Sequence, residues 1–135
     1  MATPDHSRRA VIAVVEDDQG MLASLALLLG SADYEVRPFS SAAALLESGE
    51  LRLIDCLISD LGMPHIDGFE LGRVAQAERP DLPIVFVTGR PELLASSTVN
   101  GFRPHLSFTK PFNSRDLLAA VAELLRGPQP RTPRG

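Results

Sequence analysis

Four short apolar runs in this chain each lead into residues that can do chemistry. The run 10–15 (AVIAVV) is followed by Glu16, Asp17 and Asp18. The run 55–60 (DCLISD) ends on Asp60, the run 83–88 (PIVFVT) ends on Thr88, and the run 105–109 (HLSFT) leads into Lys110 and Pro111. Gathered in one place, these residues would supply several carboxylates, one hydroxyl and one ammonium. Bunched carboxylates repel one another, so the cluster is costly without a counter-charge. A hard divalent cation such as Mg2+ relieves that cost, since it takes oxygen ligands and keeps several waters. A carboxylate can also act as a nucleophile toward phosphorus. A lysine and a hydroxyl then suit the oxygens of a phosphoryl group.

Whether the residues gather depends on the elements that carry them. The run 10–15 is apolar at every position, as in a strand covered on both faces of a parallel sheet. After it, Leu22, Leu25, Ala26 and Leu29 recur at helical spacing, with Gly30 as the expected stop. The alternation then repeats. A strand is expected at 34–38, where Pro38 favours an edge, and then a helix capped by Ser40 or Ser41 and ended by Gly49. A third strand at 55–60 is followed by a helix over 68–78, and a fourth strand lies at 83–88. A helix over 93–100 is weakened by Ser96, Ser97 and Thr98. The fifth strand lies at 105–109, and a last helix, capped by Asn113 or Ser114, carries Leu117, Val121 and Leu124 on one face. Strands alternating with helices in this way imply right-handed βαβ units and an α/β, doubly wound, five-stranded parallel sheet with helices on both faces. In such sheets ligands sit beyond the carboxyl ends of the strands, where the reactive residues fall.

Composition bounds the rest. The chain has 135 residues, 44% apolar and 22% charged, the size and balance of one globular domain. A net charge of −4 is a poor field for nucleic acid. The single cysteine, Cys56, excludes an internal disulfide and a multi-cysteine zinc site, and it is expected to be a buried small hydrophobe. No run is long enough to span a membrane, and the N-terminus lacks the apolar stretch of a signal peptide. We expect a loose tail over 1–9, a domain over 10–126 and a Pro/Arg-rich tail or linker stub over 127–135, in a cytoplasmic protein.

In the segments VVEDD (14–18), DCLISDLGMPHIDGFEL (55–71), PIVFVTG (83–89) and TKPF (109–112), the chain resembles the receiver domain of bacterial two-component response regulators, and the FixJ-like branch in particular. The resemblance covers about residues 10–126 and implies a flavodoxin-like sheet of order 2-1-3-4-5. It implies that Asp60 is the phosphoacceptor and that Thr88 and Lys110 bind phosphoryl oxygens. It implies a Mg2+ site made by Asp60, Asp17, Glu16 acting largely through water, and the backbone carbonyl of Gly62. Pro111 would follow a cis peptide bond. The implied function is a signalling switch that takes a phosphoryl group from a sensor histidine kinase or phosphotransfer protein in a two-component phosphorelay. It would be a phosphoacceptor rather than an enzyme, although it assists its own phosphorylation and dephosphorylation. The switched face would be the fourth and fifth helices with the fifth strand, read by a second copy or an output partner, with no nucleic acid or membrane bound by this domain.

Rival readings are a receiver-like interaction module that is not phosphorylated and the N-terminal receiver of a longer DNA-binding regulator. A phosphohydrolase is disfavoured because Gly62 stands where such enzymes carry a second aspartate. Asp18 is expected to cap the first helix, Asp67 to serve the turn before Gly68, and His65 to sit at the rim of the site. Two departures from the family bear on the switch. Arg103 and Pro104 occupy a step that is often Gly-Ala, and Ser107 stands where an aromatic is usual, with Phe108 next to it. Gly62 and Arg90 would border the path of an attacking water, with Arg90 either shielding the phosphorus or lying in solvent.

Overall fold

The computed structural model describes residues 9–61, 68–90, 92 and 106–126. Five strands form one parallel sheet: β1 (Val11–Val15), β2 (Glu35–Phe39), β3 (Cys56–Asp60), β4 (Ile84–Thr88) and β5 (Leu106–Thr109). Their order is β2-β1-β3-β4-β5. The described helices are α1 (Gln19–Ser31), α2 (Ala42–Ser48), α3 (Gly68–Glu78) and α4 (Ser114–Leu125), with a 3₁₀ turn at Glu50–Leu53. The helix expected over 93–100 lies outside the described residues, as do the segments 1–8, 101–105 and 127–135.

The central strands are apolar on both faces because both faces are covered. Ile12, Val14, Cys56, Ile58, Val85 and Val87 pack on one side with Leu22, Leu25 and Leu29 of α1 and Leu117 and Val121 of α4. Ala13, Val15, Leu57, Ile84 and Phe86 pack on the other with Ala42 and Leu45 of α2 and Leu71 and Ala75 of α3. Pro38 lies in β2, an edge strand opposite Val14, where its missing N–H leaves no ladder bond unmade.

Capping fixes where each helix begins. Asp18 caps α1 by accepting the Met21 N–H at 3.0 Å. Ser41, rather than Ser40, caps α2 through the Ala44 N–H at 3.0 Å. Asn113, rather than Ser114, caps α4 through the Asp116 N–H at 3.1 Å. Gly49, at φ 75°, ends α2 as expected. Gly30 does not end α1, which runs on to Ser31. The left-handed residue there is Asp33 at φ 74°, a conformation that aspartate tolerates, and the Asp33 N–H closes onto the Gly30 carbonyl at 3.0 Å.

The packing sets a stability contrast. Phe86 is fully buried, so Phe86→Ala should lose about 3–5 kcal/mol in urea unfolding. Leu27 is 76% exposed, and Leu27→Ala should change stability by no more than about 0.5 kcal/mol. Equal losses would contradict this placement of the core.

Candidate functional site

The reactive residues stand at the carboxyl ends of the strands because the shared direction of a parallel sheet puts all those ends on one edge. Glu16 follows β1 directly and is almost wholly buried. Its Oε1 accepts from Lys110 Nζ at 2.9 Å, and its Oε2 accepts the Asp18 N–H at 3.1 Å. The second bond turns the chain at Asp17, which leaves the Asp17 carboxylate exposed at the mouth of the site, and places Asp18 to cap α1.

Asp60 is the last residue of β3 and is also buried. Its Oδ1 lies 3.5 Å from Lys110 Nζ. The Lys110 N–H donates to the Thr88 carbonyl at 2.7 Å, tying the end of β5 to the end of β4. Buried Thr88 turns its hydroxyl to the following segment: Oγ1 accepts the Arg90 N–H at 2.9 Å and donates a long 3.4 Å contact to the Arg90 carbonyl. The Lys110–Pro111 peptide bond is cis.

Glu16, Asp17 and Asp60 can each bring a carboxylate oxygen within 4.8 Å of the others. Burial and then the nearby charge of Glu16 push the Asp60 carboxyl up to about 7, with Lys110 pulling in the opposite direction. For Lys110, burial favours the neutral amine, but the Glu16 hydrogen bond and the charges of Glu16 and Asp60 outweigh it and raise its pKa. Three carboxylates thus gather where one ammonium pairs with two of them, Glu16 and Asp60. The hard oxygen donors and the surplus negative charge fit a divalent cation such as Mg2+. Both Glu16 oxygens are already engaged, which leaves Asp17 and Asp60 better placed to ligate directly.

The structure therefore brings Glu16, Asp17, Asp60 and Lys110 together and joins Thr88 to them through the backbone. Gly62, His65 and Asp67 lie outside the described residues. Arg90 pairs with Glu92 at 3.2 Å, and both side chains are exposed, so of its two expected placements it takes the one in solvent. Cys56 is buried, and burial with the Asp55 charge pushes its thiol up to about 12, which suits a small hydrophobe. Sequence reasoning missed the double engagement of Glu16. The only signal for it was the adjacency of Glu16 and Asp18 in one loop.

Comparison with known proteins agrees with this geometry. The family described as response regulator receiver domain matches residues 12–122. The transcriptional regulatory protein CreB of Escherichia coli is 33% identical over 119 residues, covering 88% of this chain and 52% of CreB. The transcriptional regulatory protein FixJ of Bradyrhizobium diazoefficiens is 31% identical over 119 residues, covering 88% of this chain and 58% of FixJ. The chain thus spans little more than half the length of these relatives. The crystal structure of TrrA from Thermotoga maritima, in complex with Mg2+-BeF, superposes with a TM-score of 0.74 at 25% identity, covering 85% of this chain and 98% of that one. The family match, the sheet order and the acidic edge carried by the matched segments lead to one conclusion: the chain belongs to the response regulator receiver domain family.

Proposed function

We propose that this domain, spanning 10–126, is a phosphorylation switch in a two-component phosphorelay of the cytoplasm. Asp60 takes the phosphoryl group of a phosphohistidine on a sensor kinase or phosphotransfer protein. The observation that carries the reading is the carboxylate trio Glu16, Asp17 and Asp60, with the ammonium of Lys110 set against Glu16 and Asp60. That the related TrrA was solved in complex with Mg2+-BeF supports a metal as part of the reading.

Asp17, Asp60 and the Gly62 carbonyl would hold Mg2+, with Glu16 acting through water. Bound there, Mg2+ supplies positive charge against the phosphoryl oxygens. The Asp60 carboxylate attacks phosphorus, the P–N bond to the donor imidazole breaks, and its electron pair leaves with the imidazole. Lys110 leans from Glu16 toward the incoming oxygens and offsets their charge. Thr88 exchanges its long contact with the Arg90 carbonyl for a hydrogen bond to a phosphoryl oxygen. Each contribution is positioning or electrostatics, which supply most of the rate in phosphoryl transfer.

Incubation with acetyl phosphate and Mg2+ should add one phosphoryl group that base and hydroxylamine remove. Asp60→Ala should abolish the addition in intact-mass measurement. Labelling that survives Asp60→Ala would place the acceptor elsewhere.

Mg2+ binds the native site and so should raise Tm in differential scanning calorimetry. Asp17→Asn should remove most of that rise, whereas an equal response in the variant would exclude Asp17 as a ligand.

The raised Asp60 pKa has a definite sign. Between the ordinary value of 3.8 and about 7, the folded state keeps a proton that the unfolded state has lost. Stability conferred by that proton is therefore lost as pH rises through this window. Asp60→Asn removes the charge, so without Mg2+ it should be more stable than wild type, by a margin that grows as pH rises from about 4 to about 7 and then levels off. A margin that does not vary with pH would contradict the burial of an ionised Asp60.

A further inference from the structure

The usual position for an aromatic on β5 holds Ser107, and the structure shows where the neighbouring ring goes instead. Register pairs Ser107 with Phe86 and Phe108 with Val87. Side chains alternate across a strand, so Ser107 lies on the sheet face of α2 and α3, and Phe108 lies on the face of α1 and α4. Ser107 is exposed and small. Phe108 cannot replace the missing ring without a one-residue slip of β5, which the Lys110 N–H bond to Thr88 at 2.7 Å opposes.

Phe108 is packed with a second ring. Phe108 and Phe112 meet edge to face, with centroids 6.2 Å apart and planes at 65°, the favoured geometry for an aromatic pair. Both rings pack on the cluster that contains Leu117 and Val121 of α4. They stand two residues either side of Lys110, whose ammonium lies between Glu16 and Asp60. One residue after Phe112, Asn113 caps α4. The two rings thus flank the lysine of the acidic site along the chain and pack on the cluster that holds α4, on the face opposite Ser107.

We propose that the Phe108–Phe112 pair is the element through which occupation of the Asp60 site acts on α4, so that this receiver signals through the α4 face of the sheet rather than through residue 107. The inference rests on the phosphoacceptor reading above. Anionic oxygens at Asp60 compete with Glu16 for Lys110. The change at Lys110 reaches the rings through the chain on either side of it, since Phe108 and Phe112 each stand two residues away. The rings then change the packing of Leu117 and the cap at Asn113. An effector can shift an equilibrium only if its contacts differ between the two states, and Lys110 supplies that difference.

Hydrogen–deuterium exchange with Mg2+ and beryllium fluoride as the probe tests this. Protection of Ile84–Thr88 reports that the probe is bound, and exchange in Ser114–Leu125 reports the output. Wild type should show both, with the amides of α4 slowed or quickened by about five-fold or more. Phe112→Leu keeps an apolar side chain, and Phe108→Leu serves should the first variant fold poorly. Either should retain the protection of β4 while losing most of the change in α4. Ser107→Ala should behave as wild type. Binding with an unchanged α4 in wild type, an undiminished α4 response in the leucine variants, or loss of the response in Ser107→Ala would each overturn the relay and leave the phosphoacceptor reading standing. Failure of the probe to bind wild type would overturn both.

Discussion

Gathering Glu16, Asp17 and Asp60 so that their oxygens come within 4.8 Å of each other costs electrostatic energy, and the cost is greatest for Asp60 because it is also buried. Lys110 offsets part of it. The remainder persists as a raised Asp60 pKa and as affinity for positive charge. The other features of the edge serve this constraint. Glu16 spends one oxygen on Lys110 and one on the Asp18 amide, so it organises the loop more than it ligates. The backbone bond from Lys110 to Thr88 keeps the ammonium in register with β4. The parallel sheet makes the arrangement possible, since only strands of common direction bring these ends to one side.

Stability and function pull against each other at this edge. The sheet interior is apolar and complete, with Ile12, Ile58, Val85 and Phe86 fully buried. A few ångströms beyond it lie carboxylates that would be more stable as amides or alkyl groups. In the reading proposed above, that unbalanced charge is what a cation and a phosphoryl group would meet.

Much of this was legible in the residues. The run 10–15, apolar at every position, announced a covered parallel strand, and the reactive residues at the ends of four strands announced one edge. Pro38 marked an edge strand, and Ser41 and Asn113 were each one of two candidate caps. Choosing between neighbours such as Ser40 and Ser41 requires backbone angles that composition does not encode. Gly30 misled because Asp33 takes the left-handed position, and an aspartate there is not distinguishable in advance from one in a turn. The Glu16–Lys110 half of the double engagement of Glu16 was illegible because it joins residues 94 positions apart, while the Asp18 half left only the closeness of the two residues as a sign. The facing of Phe108 followed from register, which is fixed only when β5 is laid against β4.

Asp60 is a buried carboxylate held among like charges, a setting that favours a nearby cation. Titration of the Asp60 side-chain carboxyl carbon by 13C NMR reads this directly. In the metal-free protein the account predicts an inflection near the value of about 7 that the site imposes. With saturating Mg2+ it predicts a shift to lower pH, because the cation stabilises the ionised form. An inflection in the ordinary carboxylate range that Mg2+ does not move would contradict it.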